Sequence, residues 1–287
     1  ILLGEGVPEI YPMKHNNNVL DLKISPDNSM IATAAFDSTA RIWDAGSGKP
    51  IIEPIIHKNK SIAEVNFSPC SKYLLTRYKL TKNEPAENEN YKVSVWECRT
   101  GKELPLEITH NRNVKSASFS PCGKYIITTS GLGANIWEFG SGTKKMVLQH
   151  RALVNYAEYS SDGNYIVTAS SDKSSVIWNA RTGEKIKTLV HENAVLSAKF
   201  SPNSNYIATV NANHKVTIWK VADGKAISAH KIHNKNIGGL AFSSDSRLLA
   251  TSSGDSTIVV WDIVNGKTQF KPVKLENKGG EIDFINK

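Results

Sequence analysis

The chain has 287 residues, 40% hydrophobic and 22% charged, with a formal net charge of +8. That balance is ordinary for a globular protein, and no apolar run approaches the ~18 residues a membrane-spanning helix needs, so no membrane partner is expected. The net charge favours acidic partners, but the lysines are scattered one or two per strand or turn with no basic run, which disfavours direct nucleic-acid binding.

Six tryptophans set a beat: Trp43, Trp96, Trp137, Trp178, Trp219 and Trp261 are spaced 53, 41, 41, 41 and 42 residues apart. His15, His57, His110, His150, His191 and His233 precede them by 28, 39, 27, 28, 28 and 28 residues. A period near 41 is one supersecondary unit copied along the chain.

In chain order, Ile1–Glu5 shows neither an initiator Met nor a signal-peptide layout, so the sequence is expected to be a processed chain or part of a longer one. Residues 6–14 read as a fourth strand. Copy one begins at His15. Val19, Leu20, Leu22 and Ile24 alternate into the turn Ser25-Pro26-Asp27-Asn28, whose residues preset the backbone and supply side-chain hydrogen bonds. Met30 to Thr33 form a second strand and Ala40 to Trp43 a third. A tight turn, Ser47-Gly48-Lys49, leads to a polar fourth strand.

Copy two carries about eleven extra residues between its second and third strands, roughly Lys79 to Asn90. This insertion is polar, contains Pro85 and has no apolar periodicity, so it reads as a loop outside the core. Copy three has Gly131 or a neighbour where an acid stands elsewhere. Copy four is complete, with His150, Thr168, Asp172 and Trp178. Copy five repeats the pattern with Asn213, and copy six with Asp255. After it, residues 280–286 read as a first strand. Strands of four to seven residues, turns about every ten and no helical period indicate an all-β chain of four-stranded units. Such units bury their faces only by stacking.

A polar set recurs in this frame. Asp37, Asp172, Asn213 and Asp255 stand six residues before their Trp, with Asn90 in that place in copy two. Thr33, Thr168, Thr209 and Thr251 stand ten before it; Thr76 and Thr128 fill the role in copies two and three. Six identical active sites in one chain would be strange. The set reads as a brace: the Asp accepts from the His ring, the His meets the Thr hydroxyl, and the hydroxyl accepts from the indole N–H. No phosphate loop, His-Glu-x-x-His, Gly-x-Ser-x-Gly or Cys-x-x-Cys is present, so neither an enzyme nor a cofactor is expected. His214 reads as a solvated turn residue. His230 and His233 are three apart with no third metal ligand in view. Cys70, Cys98 and Cys122 have no metal-ligand spacing, and Cys70 and Cys122 replace the turn Asp. A cytoplasmic, reducing compartment is therefore expected.

The initial His, the Ser-Pro-Asp turn, the strand Thr, the turn Asp and the dipeptides Trp43-Asp44 and Trp261-Asp262 together resemble the WD-repeat β-propeller family. Trp96-Glu97 and Trp137-Glu138 are near variants; Trp178-Asn179 and Trp219-Lys220 are looser. The resemblance implies one propeller over residues 1–287. Six complete repeats would be joined by a seventh blade shared between the terminal strands 6–14 and 280–286. A six-bladed ring with those strands at its seam is the alternative. It also implies a non-catalytic scaffold or adaptor that holds proteins or peptides on the face carrying the His loops. The competing reading is a sensor or regulatory module of a larger NTPase or effector. Candidate contacts are Phe36, Arg77, Tyr78, Arg112 and Arg151, with Lys79, Lys82, Glu84 and Glu87 of the insertion.

Overall fold

A computed structural model describes residues 11–57, 60–79 and 91–276. They form an all-β architecture of six four-stranded antiparallel sheets, the blades. Blade 1 comprises Val19–Ile24, Met30–Ala35, Thr39–Asp44 and Ile55–Ile56, and blade 2 Ser61–Phe67, Tyr73–Lys79, Tyr91–Glu97 and Ile108–His110. Blade 3 comprises Val114–Phe119, Tyr125–Ser130, Gly133–Glu138 and Lys144–Gln149, and blade 4 Val154–Tyr159, Tyr165–Ser170, Ser174–Asn179 and Lys185–Val190. Blade 5 comprises Val195–Phe200, Tyr206–Asn211, Val216–Lys220 and Ala226–His230, and blade 6 Ile237–Phe242, Leu248–Ser253, Thr257–Asp262 and Val273–Lys274.

The turns follow from local chemistry. Ser25 donates its hydroxyl to Asp27 at 2.6 Å and accepts the Met30 N–H at 2.9 Å. Asn28 supplies the positive φ of 59° that closes this turn. Cys70 takes the place of Asp27 in blade 2, with its sulfur 3.3 Å from Ser68 Oγ, and Cys122 does the same beside Ser120. Both cysteines are exposed turn residues with free thiols.

Fourth-strand length follows proline. Blades 1, 2 and 6 carry Pro54, Pro105 and Pro272, and their fourth strands are only two or three residues long. Blades 3, 4 and 5 have no proline there and pair over five or six residues. A proline has no N–H to give to a ladder.

The chain divides into two compact units, residues 1–126 with 137–144 and residues 127–136 with 145–287. In the first, Ala32, Ala34, Ala40 and Ile42 of blade 1 pack with Ile62, Val65 and Leu74 of blade 2. A second cluster joins Leu75, Val93 and Val95 to Val114, Ala117 and Phe119. In the second unit, Val167, Ala169 and Ile177 meet Val195, Ala198 and Phe200, and Ala208, Val210 and Ile218 meet Leu240, Phe242 and Leu249. Polar links cross the same seams. Asp21 Oδ2 accepts the Val65 N–H at 2.9 Å, and Glu158 Oε1 accepts the Phe200 N–H at 2.6 Å. Asn66 and Asn155 donate to the carbonyls of Ala117 and Val195, both at 2.8 Å.

Blade 1 departs from this pattern on one face. Leu22 is 47% exposed, whereas its counterparts Val65, Ala117, Ala157, Ala198 and Leu240 are buried. Val19 and Ile24 are also exposed. The expected strand at 6–14 has its first half outside the described residues, and residues 11–14 form no strand. Residues 280–286 lie wholly outside them. Six blades are what the described residues build.

Candidate functional site

The expected brace is present and closes fully in blades 1 and 4. Trp43 Nε1 donates to Thr33 Oγ1 at 2.9 Å, Thr33 Oγ1 lies 2.7 Å from His15 Nε2, and His15 Nδ1 lies 3.0 Å from Asp37 Oδ2. In blade 4 the same links, Trp178–Thr168–His150–Asp172, measure 2.8, 2.7 and 2.8 Å. With the indole donating to Thr, the hydroxyl donates to Nε2, which fixes a neutral imidazole with its proton on Nδ1 facing the acid. Burial keeps the His150 imidazole below its ordinary pKa, against the opposing pull of Asp172. Burial pushes Asp172 up, but Ser174, His150 and the Arg151 N–H together bring it down to about 2.

A fifth member, a hydroxyl residue, stands two residues after the acid. The hydroxyls of Thr39, Ser174 and Thr257 donate to Asp37, Asp172 and Asp255 at 2.7, 2.6 and 2.5 Å. In blade 6 the relay shifts: His233 Nδ1 is 2.9 Å from Thr257 Oγ1 and 3.6 Å from Asp255. The spacing Asp-x-Ser/Thr was visible in copies one, four and six, and would have separated them from the rest.

The other copies are incomplete. In blade 2, His57 Nε2 meets Thr76 at 3.0 Å and Trp96 donates to Thr76 at 2.9 Å, while Asn90 lies outside the described residues. In blade 3, His110 Nε2, the nitrogen that faces the threonine in blades 1 and 4, has no hydrogen-bond partner among the described residues, so this blade lacks the threonine link as well as the acid. A Cβ at Gly133 would approach Val147 Cγ1 to 2.6 Å, so a side chain there would have to displace the half-exposed Val147. Blade 5, which repeats the pattern with Asn213 in the acid's place, does not close its brace. His191 Nε2, the threonine-facing nitrogen, is unpartnered among the described residues, and in the acid's place the Asn213 side chain accepts from Asn193 at 3.0 Å. A neutral amide with a second amide in reach is a weaker lure for an imidazole than a carboxylate. Burial depresses His57, His110 and His191 alike, each to about 4.

The brace offers no open nucleophile. Thr33, Thr168 and Thr251 are buried, and each hydroxyl is held by its Trp and its His. No group of three or more His, Cys, Asp or Glu that could hold a metal ion occurs among the described residues. His230, the weak metal candidate, stacks on Trp261 at 5.6 Å.

The candidate contacts separate by accessibility. Phe36 is 43% exposed on a turn pinned by its N–H to the Asn18 carbonyl at 3.0 Å. Arg112 and Arg151 are exposed, and the Arg151 N–H is held by Asp172 at 3.1 Å. Arg77 is half-buried and committed: Nε donates to Glu64 at 2.7 Å and a terminal N–H to the Val114 carbonyl at 3.2 Å. Tyr78 is only 6% exposed. Its Oη accepts the Lys92 N–H at 3.1 Å, and the Lys60 ammonium lies 4.4 Å above its ring. It supports the surface from beneath. Lys79 ends the second strand of blade 2; Lys82, Glu84 and Glu87 lie outside the described residues.

The family model for the WD domain, G-beta repeat, matches residues 9–44, 103–138, 142–179, 183–220 and 224–262, more than half of the chain. The first three strands of blade 2 fall outside these matches. Protein groucho of Drosophila melanogaster is 26% identical over 164 residues, 57% of this chain and 21% of that protein. Serine-threonine kinase receptor-associated protein of Mus musculus is 26% identical over 154 residues, 53% of this chain and 41% of its own length. WD repeat-containing protein slp1 of Schizosaccharomyces pombe is 28% identical over 166 residues, 56% of this chain and 32% of that protein. The chain thus spans less than half the length of these curated relatives. Repeat, brace and blade together show that it belongs to the WD-repeat β-propeller family.

Proposed function

We propose that this chain is a non-catalytic platform for other proteins or peptides, working through the blade ends that carry the His loops. One observation carries the reading. At those ends the groups that could do chemistry, His15, Thr33 and Asp37 in blade 1, are turned inward and paired with each other, while an aromatic ring, Phe36, is left in solvent. A rigid aromatic on a pinned turn can anchor a partner but cannot react with one. The name of the murine relative, a receptor-associated protein, is in keeping with such a role. We place the activity in a reducing, intracellular setting because Cys70 and Cys122 are exposed, free thiols.

Photo-crosslinking from position 36 in cell extract, compared with the same probe at the exposed Lys145 on a fourth strand, tests the proposal. Discrete adducts at 36, suppressed by excess unlabelled wild type but not by Phe36→Asp protein, are expected. Equal adducts from both positions, or equal competition by Phe36→Asp, would remove the anchor.

A further inference from the structure

The second unit holds an open depression of about 350 Å³ lined by His214, Asn234, Lys235, Asn236 and Gly254. It lies where the turn between the second and third strands of blade 5 meets the loop entering blade 6. Three features set it apart from ordinary surface. His214 Nδ1 is buried and has no hydrogen-bond partner among the described residues, on a turn held at φ 63°. The exposed Lys235 makes no ion pair among the described residues, although its backbone carbonyl is fixed by Ser253 Oγ at 3.0 Å. The charges next to it are already satisfied. Asp255, 10% exposed in its side chain, accepts the Asn234 N–H at 2.7 Å and both the N–H and hydroxyl of Thr257. Lys215 is paired with Glu192 at 2.9 Å.

What remains at the mouth is one unneutralised ammonium and two side-chain amides, and the lining adds the His214 ring, whose buried Nδ1 donates in its Nδ1–H tautomer. All are donors or can become donors, and among the described residues no free carboxylate competes with them. We infer that this depression is a docking site for a carboxylate side chain of an acidic protein segment. The inference rests on the platform reading above and names the chemistry of one partner. The net charge of +8 adds long-range attraction for such a segment. A carboxylate suits it better than a phosphate backbone. A single unpaired cation matches a single charge, whereas nucleic acid is held by rows of cations that track successive phosphates.

Gly254 permits a variant that fills the site without disturbing the fold. It is outside the left-handed region, and a Cβ there would meet nothing closer than the Asn236 carbonyl at 3.8 Å. Blade 1 carries Phe36 at the same position in its turn, so Gly254→Phe asks blade 6 for what blade 1 already accommodates.

The experiment is fluorescence anisotropy at low salt with the whole chain. The probes are a dye-labelled, end-blocked peptide of Glu and Leu, the same peptide with Gln for Glu, and a single-stranded oligonucleotide of equal charge. Wild type should bind the Glu peptide about tenfold more tightly than the Gln peptide, and Lys235→Glu and Gly254→Phe should each remove about that factor, as loss of one desolvated charge contact predicts. Thermal melting establishes that both variants are folded. Equal affinity for the two peptides, variants that bind like wild type, or tighter binding of the oligonucleotide would each overturn the site. Phe36→Asp serves as the separating control. If it fails to compete for crosslinking while the peptide arms show no preference, the platform stands and this site does not. If the peptide arms succeed while position 36 is inert, the docking chemistry stands and the anchor at Phe36 falls.

Discussion

Asp172→Ala should destabilise the protein by about 2–3 kcal/mol, and the structure shows where that comes from. Asp172 Oδ2 accepts from His150 Nδ1 at 2.8 Å and from the Arg151 N–H at 3.1 Å. Its Oδ1 accepts the N–H and hydroxyl of Ser174 at 3.0 and 2.6 Å. Ser174 and the Arg151 N–H can turn to water. The His150 ring is 1% exposed and cannot, so its Nδ1–H would stay buried without an acceptor. Leaving a buried donor unmatched, together with losing hydrogen bonds to a charged acceptor, gives roughly 2–3 kcal/mol. For a chain of this size that is on the order of 5 °C in Tm. Asn213→Ala in blade 5 is the matched control. The Asn213 side chain accepts only from the Asn193 amide and makes no bond to His191 among the described residues, so its truncation should cost well under about 1 kcal/mol. Urea unfolding of the two variants decides the matter. Comparable midpoints would refute the energetic role given to the carboxylate. An unchanged midpoint for Asp172→Ala with lost partner binding would show that Asp172 is a contact and not a brace.

Three further outcomes follow from the same geometry. Burial holds His57, His110 and His191 at about 4, well below the ordinary histidine value; between roughly pH 6.5 and 4 the unfolded chain therefore binds more protons, so stability is full above that window and falls by a few kcal/mol as pH drops through it. Urea midpoints at pH 7.5 and 4.5 measure this, and a flat profile would contradict neutral, buried rings. Amide exchange should be faster over residues 126–135 of blade 3 than over 166–176 of blade 4, because His110 lacks the relay that closes around His150; equal protection would count against a weaker third blade. Leu22→Ala should cost under about 1 kcal/mol and Leu240→Ala about 2–4 kcal/mol, since only the second residue is buried. Equal costs would mean that the Leu22 face is covered in solution.

The repeat, the strand order within a blade and the Trp–Thr–His–Asp brace were all legible in the order of residues. Each of these rests on residues at fixed short spacings, and a copied unit prints them repeatedly. That order also marked blade 3 as defective, because Gly131 stands where an acid should. Tertiary structure alone decided the rest. Asn213 and Asp172 occupy the same place in the repeat, yet only the carboxylate holds its histidine. Arg77 and Tyr78 looked like surface residues on a strand end, but Glu64 captures one and the ring of the other turns under Lys60. The carboxylates of Asp21 and Glu158 link one blade to the next through backbone N–H groups 44 and 42 residues away, and no local pattern signals such a pairing. The depression at His214 and Lys235 likewise exists only where two blades meet. Periodicity records what each copy does within itself; which groups are left exposed depends on what the neighbouring copy covers.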